Sequence, residues 1–227
     1  MENNYINLTK ENLSGEHLCC IIRSKSHPGI ETKRKWLAER LEEGHVFRKL
    51  DVKGTVFIEY SPLETAWTPV VGNNYYYIYC LWVLAPFKGQ GFGKTLLEYC
   101  LEDARSRQRS GVCMLGSKKQ KSWLADKRFV LKYGFEVVDQ TADGYELLAL
   151  SFDGTKPAFS ERARRQKINT EKLTIYYGLQ CPYIPHFVGV IEKYCQTHGV
   201  PLDLIKIDTL KKAKALPGVF NNWAVFY

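Results

Sequence analysis

A chain of 227 residues that is 45% hydrophobic and 25% charged has room for one full domain and a small second one, and its apolar content excludes a disordered chain. No apolar run approaches the roughly 18 to 20 residues of a membrane span, and the polar opening MENNYINLTKENL lacks a signal-peptide pattern, so a cytoplasmic protein without a membrane partner is expected. The formal net charge of +8 is scattered over Lys33-Arg34-Lys35, Arg105 to Arg109, Lys118 to Lys121 and Arg162 to Lys167 among acidic residues, which argues for solubility and an acidic ligand and against a nucleic-acid groove.

In chain order, Asn4 to Leu8 reads as a short strand, and Ile30 to Glu43, with Trp36, Leu37 and Leu41 at helical spacing, as an amphipathic helix. Val46 to Leu50 and Gly54 to Tyr60 read as a hairpin. Tyr75 to Val83 is an aromatic, β-branched strand broken at Ala85-Pro86. Beyond a glycine-rich turn, a helix from Gly91 to Arg107 should bury Phe92, Leu96, Leu97, Cys100, Leu101 and Ala104 and turn Glu98, Glu102, Asp103 and Arg105 to water. Val112 to Leu115 is the next strand and Lys121 to Lys132 the next helix; Phe135 to Asp139 and Tyr145 to Leu150 are strands joined by Ala142-Asp143-Gly144. The fold class is mixed α/β, with helices between sheet strands. Seven cysteines make no C-x-x-C pair and no zinc spacing, so no metal is expected; most read as reduced, buried small hydrophobes, with Cys19-Cys20 the one adjacent pair open to a redox reading.

Tyr75 to Leu101 sets a strand, three glycines and a helix start in succession. That is an anion site, because the first helical turn has unpartnered N–H groups at the positive end of the dipole. Spacing sorts the phosphate motifs. A P-loop ending at Gly93-Lys94-Thr95 needs its first glycine at Lys88, and a G-x-G-x-x-G begun at Gly89 or Gly91 puts its third on Lys94 or Leu96. Lys88, Gly91 and Gly93 do fit the [Q/R]-x-x-G-x-[G/A] loop of the GNAT acetyltransferase superfamily, with Lys88 where Gln or Arg is usual. Leu81-Trp82-Val83 resembles that family's fourth strand. WLADKRFVLKYGFEVV, Trp123 to Val138 with Gly134-Phe135 inside it, resembles its helix, Gly-Phe mark and following strand. Residues 1–152 are expected to form this domain.

The resemblance implies acetyl-CoA as acyl donor and an amine, on a small molecule or a peptide, as acceptor. It implies backbone contacts from Trp82 and Val83 to the pantetheine arm. The pyrophosphate would be held by the loop Gly89, Gln90, Gly91, Phe92, Gly93, Lys94 and Thr95, with charge added by Lys88 and Lys94. Lys118 to Lys121 is either a 3′-phosphate contact or a solvated helix start. The catalytic groups are less defined. Four residues before Gly134, where many members carry a tyrosine acid, stands Val130, and Tyr79 occupies the place of a fourth-strand glutamate. Tyr79, Glu59 and Tyr133 are the catalytic candidates, followed by Cys80 and His45; a water relay or proton loss from the substrate itself is the alternative.

Residues 153–170 read as a polar, basic linker. Within 171–227, Leu173 to Tyr177 and Leu202 to Ile207 read as strands around a helix from Pro185 to Thr197, with a last strand from Trp223 to Tyr227. This resembles an abbreviated thioredoxin-like domain, with Cys181-Pro182-Tyr183-Ile184 as its active-site turn, and the two units together resemble the YoaP-type acetyltransferases. Ile184 stands for the resolving cysteine and Asn221-Asn222 for the cis-proline, so dithiol exchange is not expected. Cys181 at a helix start is expected to be a reactive thiol of lowered pKa. Two functions stay open: an acyl-CoA-dependent N-acetyltransferase with a substrate-selecting C-terminal module, and a non-catalytic CoA-binding sensor or interaction protein with a thiol-reactive one.

Overall fold

Seven strands form the main sheet, in the spatial order β1 (Tyr5–Asn7), β2 (Val46–Leu50), β3 (Val56–Pro62), β5 (Tyr75–Val83), β6 (Gly111–Ser117), β8 (Tyr145–Ser151), β7 (Glu136–Gln140). The computed structural model describes residues 4–20 and 27–227. Every neighbouring pair is antiparallel except β5 with β6, which run parallel and pair only from Tyr75 opposite Gly111 to Ile78 opposite Met114. A bulge explains the divergence. On the β3 side, Tyr60 faces Ile78 while Glu59 faces Cys80, so Tyr79 is the extra residue, and an extra residue bends its strand. It also resets the alternation. Tyr76, Ile78, Leu81 and Val83 pack toward helix α2 (Phe92–Ser106), whereas Tyr77, Tyr79, Cys80 and Trp82 face the opposite side of the sheet.

The α2 stripe is the one its sequence prescribes: Phe92, Leu96, Leu97, Cys100, Leu101 and Ala104 are buried. The other sheet face is covered by α1 (Pro28–Leu41), whose Trp36 and Leu37 pack with Phe47 and Phe57. Helix α3 (Lys127–Leu131) begins later than Lys121, because the Asp126 carboxylate accepts the Arg128 N–H at 3.0 Å and so caps the helix there. Residues 153–170 are more than a linker. Within them β9 (Ala158–Phe159) pairs with β4 (Val70–Val71), Phe159 is buried beside Tyr75 and Leu147, and a short helix α4 (Glu161–Arg164) follows, capped by Ser160. No helix among the described residues is long and apolar enough to cross a membrane.

The C-terminal segment has its own sheet, with β10 (Leu173–Tyr177) between parallel β11 (Leu202–Lys206) and antiparallel β12 (Trp223–Phe226). Helix α5 (Tyr183–His198) joins β10 to β11 and sets Ile184 and Val188 on Ile175; helix α6 (Leu210–Lys214) precedes β12. This sheet is sewn to the first. Lys214 donates to the carbonyls of Leu63 at 2.6 Å and Val70 at 3.3 Å. Val219 is buried among Tyr75, Tyr77 and Cys113, and its backbone N–H and C=O are both bonded to the Gln166 amide, at 2.9 and 3.0 Å. At Gly29 in α1, an added Cβ would lie 1.9 Å from the Pro182 carbonyl oxygen, so only glycine permits this approach.

Candidate active site

The fork between β5 and β6 leaves the backbone of Cys80 to Val83 paired with β3 on one edge and unpaired with β6 on the other, with the bulge residue Tyr79 at its base. Beside the end of β5 stands the start of α2. Gly91 is its N-cap, in the left-handed region at φ 83°, and no side chain caps it. The first helical amide to find its partner is that of Thr95, on the Gly91 carbonyl at 3.1 Å. The amides of Phe92, Gly93 and Lys94 precede it and are the orphan donors every helix start carries. Gly89 also has positive φ, at 78°, and a Cβ on Gly89 or Gly91 would meet nothing within 4 Å among the described residues. These glycines are required by backbone conformation, and they leave the approach to the amides open. Gln90 donates to the Pro86 carbonyl at 2.9 Å, Lys88 is exposed, and Lys94 reaches only a loose pair with Glu98 at 3.7 Å. Both lysines are free to turn toward an anion. Phe92 is buried and Thr95 exposed.

On the other side of the sheet the fork opens into a cleft of about 120 Å³. Its floor is a buried ionic cluster. Glu59, 1% exposed, pairs with Lys33, which is 0% exposed; its Oε1 also meets His45 Nε2 at 3.0 Å, and its Oε2 accepts the Gln180 amide at 2.7 Å. Burial alone would raise the Glu59 carboxyl, but the Lys33 ammonium and the His45 ring override it and hold the carboxyl below its ordinary value. Burial dominates at His45 and pushes its pKa down, so the ring stays neutral. Tyr79 is a wall of the cleft: its ring lies between Trp36, His45 and Tyr77, and its hydroxyl accepts the Trp67 N–H at 2.7 Å.

Tyr133 is placed elsewhere. It packs on Phe129, ring centroids 5.1 Å apart, on the α2 side of the sheet and outside the cleft lining. Val130 is fully buried. Lys118 to Gln120 form an exposed loop and not a helix start, and Lys121 sits over the rings of Tyr145 and Trp123, at 4.9 and 5.4 Å.

Cys181 departs from expectation in environment and in location. The Tyr183 N–H at the start of α5 favours its thiolate, as anticipated, but burial outweighs it and pushes the pKa up to about 11. It also lines the same cleft as Glu59, together with Gln180, Pro182, Asn221 and Asn222. Cys80, one of the further catalytic candidates, is half-buried there. Cys20 interacts with both Cys19 and Cys80 and has its pKa raised. All seven cysteines are thiols, and no group of His, Cys, Asp or Glu among the described residues is arranged to hold a metal. Lys33 and Gln180 were not legible as site residues. A signal for Lys33 existed, since it falls on the buried stripe of α1 with Ile30, Trp36, Leu37 and Arg40.

A family model described as Acetyltransferase (GNAT) family matches residues 13–135, and one described as YoaP-like matches residues 201–227. The uncharacterized N-acetyltransferase YoaP of Bacillus subtilis (strain 168) is 34% identical over 226 residues, 98% of this chain and 90% of that protein. Among solved structures, the PaiA N-acetyltransferase from Thermoplasma acidophilum in complex with coenzyme A is 16% identical, with a TM-score of 0.48 over 67% of this chain and 100% of that one. A GNAT family acetyltransferase from Brucella melitensis in complex with acetyl-CoA is 15% identical, with a TM-score of 0.43 over 70% and 95%.

Proposed function

Because the chain belongs to the GNAT family of N-acetyltransferases, we propose that it transfers an acetyl group from acetyl-CoA to an amine, with the donor entering along the β5/β6 fork. The observation that carries this reading is the unpaired edge of β5 next to an uncapped helix start. An extended amide-bearing arm can bond to the first and a pyrophosphate to the second. Trp82 and Val83 then serve the pantetheine arm, and residues 88 to 95 the phosphates. The thioester lies at the mouth of the cleft, and the amine comes from the Glu59 side.

Attack needs a neutral amine, while amines arrive as ammonium. Glu59, kept ionised, docks the ammonium and accepts its proton in passing, and a water relay carries that proton on to bulk solvent. Tyr79, its hydroxyl accepting from the Trp67 N–H and its pKa raised by burial, is a wall. Tyr133, packed on Phe129, is not the acid for the leaving thiolate, and Tyr133→Phe should leave turnover within about tenfold, or ~1.4 kcal/mol of transition-state stabilisation. The C-terminal segment carries a thioredoxin-like strand order with no thiol-exchange role.

The test is thermal. A ligand bound only by the folded state adds about 2.7 kcal/mol at 100 times its Kd, which for a chain of this size is a rise in Tm of about 5–10 °C. Acetyl-CoA should give it, NADH and ATP should not, and Gly91→Asp should remove it by setting a carboxylate against the phosphates. A rise with ATP and none with acetyl-CoA would overturn the assignment of the loop.

A further inference from the structure

Resting on that transferase reading, we propose that the C-terminal segment forms one wall of the acceptor pocket, and that the acceptor is a small primary amine with a compact apolar body, not a protein N-terminus or lysine. Two straps close the pocket from that side. Gln180 bonds to Glu59 on β3 at 2.7 Å, and the Asn221 amide bonds to the Trp123 carbonyl, in the loop before α3, at 3.2 Å. Between them Cys181, Pro182 and Asn222 complete the lining. An extended peptide has no path across a cleft strapped at both ends.

Size points the same way. A dry cavity of roughly 150 Å³ takes a benzene ring, so a cleft of about 120 Å³ takes a body of similar or smaller bulk. Its surface is apolar: Phe57, Trp82, Met114 and Leu124 lie beside Cys20 and Cys181, both thiols kept protonated by their surroundings. Glu59 is the anionic anchor in this lining. An ionised carboxylate offers about four lone-pair sites, and among the described residues Lys33, His45 and Gln180 fill three of those on Glu59, leaving one for the amine. Gln180 is thus a positioning residue, aiming Glu59 at the substrate without touching the reacting atoms, and Cys181 sets the size of the pocket.

The experiment follows thiol release by the full chain with saturating acetyl-CoA and a panel of ethylamine, isoamylamine, cyclohexylamine and a hexapeptide bearing a free N-terminus and one lysine. At least one compact amine should exceed the peptide tenfold or more in kcat/KM. Gln180→Leu should raise the amine KM at least fivefold while kcat falls less and the acetyl-CoA thermal shift persists, a split that general loosening would not produce. Cys181→Phe, which fills the pocket, should depress cyclohexylamine turnover more than ethylamine turnover. If acetyl-CoA binds and the peptide is the better acceptor, if no compact amine turns over, or if both variants leave the amine ranking and KM unchanged, the proposal is overturned with the donor site intact. Absence of any acetyl-CoA shift in the wild type would instead sink the donor reading, and this proposal with it.

Discussion

Glu59 and His45 tie the floor of the cleft to acid stability. His45 has a folded pKa below its ordinary 6.5, so the unfolded chain binds the extra proton first; its contribution is complete above about pH 6.5 and drains away as pH falls through the folded value. Glu59 has a folded pKa below 4.5, and its contribution drains only at more acid pH. The urea midpoint should therefore fall in two stages between pH 8 and pH 3, and His45→Gln should remove the upper stage while leaving the lower. Glu59→Gln strands Lys33, fully buried, without its anion, at a cost of about 3–5 kcal/mol. At Cys181 a pKa of about 11 leaves little thiolate at pH 7.5. Iodoacetamide should label it at least tenfold more slowly than free cysteine, and the labelled chain should lose amine turnover because the adduct fills the cleft. Fast labelling with turnover intact would contradict both its burial and its place in the site.

Two of the three glycines of the loop, Gly91 and Gly93, separate conformational from steric need. At Gly91 the φ of 83° is strained for any side chain although a Cβ would meet nothing, whereas at Gly93 a Cβ would lie an ordinary 3.5 Å from Phe129 and Val83. Gly91→Ala should cost about 1–2 kcal/mol, roughly 2–8 °C in Tm, and Gly93→Ala should be near neutral or slightly stabilising; equal effects would mean the loop is not held in this conformation. Elements of this kind were legible. Seven of the nine residues of the β5 strand are aromatic or β-branched, and the α2 stripe repeats at helical spacing. Strands β4 and β9 have two residues each, too few to carry a period. The bulge at Tyr79 was hidden for a related reason: it shifts an alternation that Tyr75 to Val83, apolar nearly throughout, does not display.

Across the whole molecule, the least legible feature is that the two halves share one cleft. Sequence order placed the glycine loop and Cys181 in separate units, and one of the bonds that join those units, Gln180 to Glu59, spans 121 residues; a contact that distant leaves no local pattern. Gly29 is its most sensitive point. A methyl group there would sit 1.9 Å from the Pro182 oxygen, a backbone atom no rotamer change can move, so Gly29→Ala must push the Cys181-Pro182 turn away from α1. The rest of the seam, Lys214 on Leu63 and Val70 and the buried Val219, does not pass through that turn. Gly29→Ala should therefore unfold in one cooperative transition, like the wild type, and retain the acetyl-CoA thermal shift. Its amine KM should rise at least fivefold as the Gln180 strap loosens, and its Cys181 should be alkylated faster. A variant with wild-type amine KM and labelling rate would show that the turn does not hold the acceptor side closed; two separate unfolding transitions in the wild type would show that the halves are not one cooperative body.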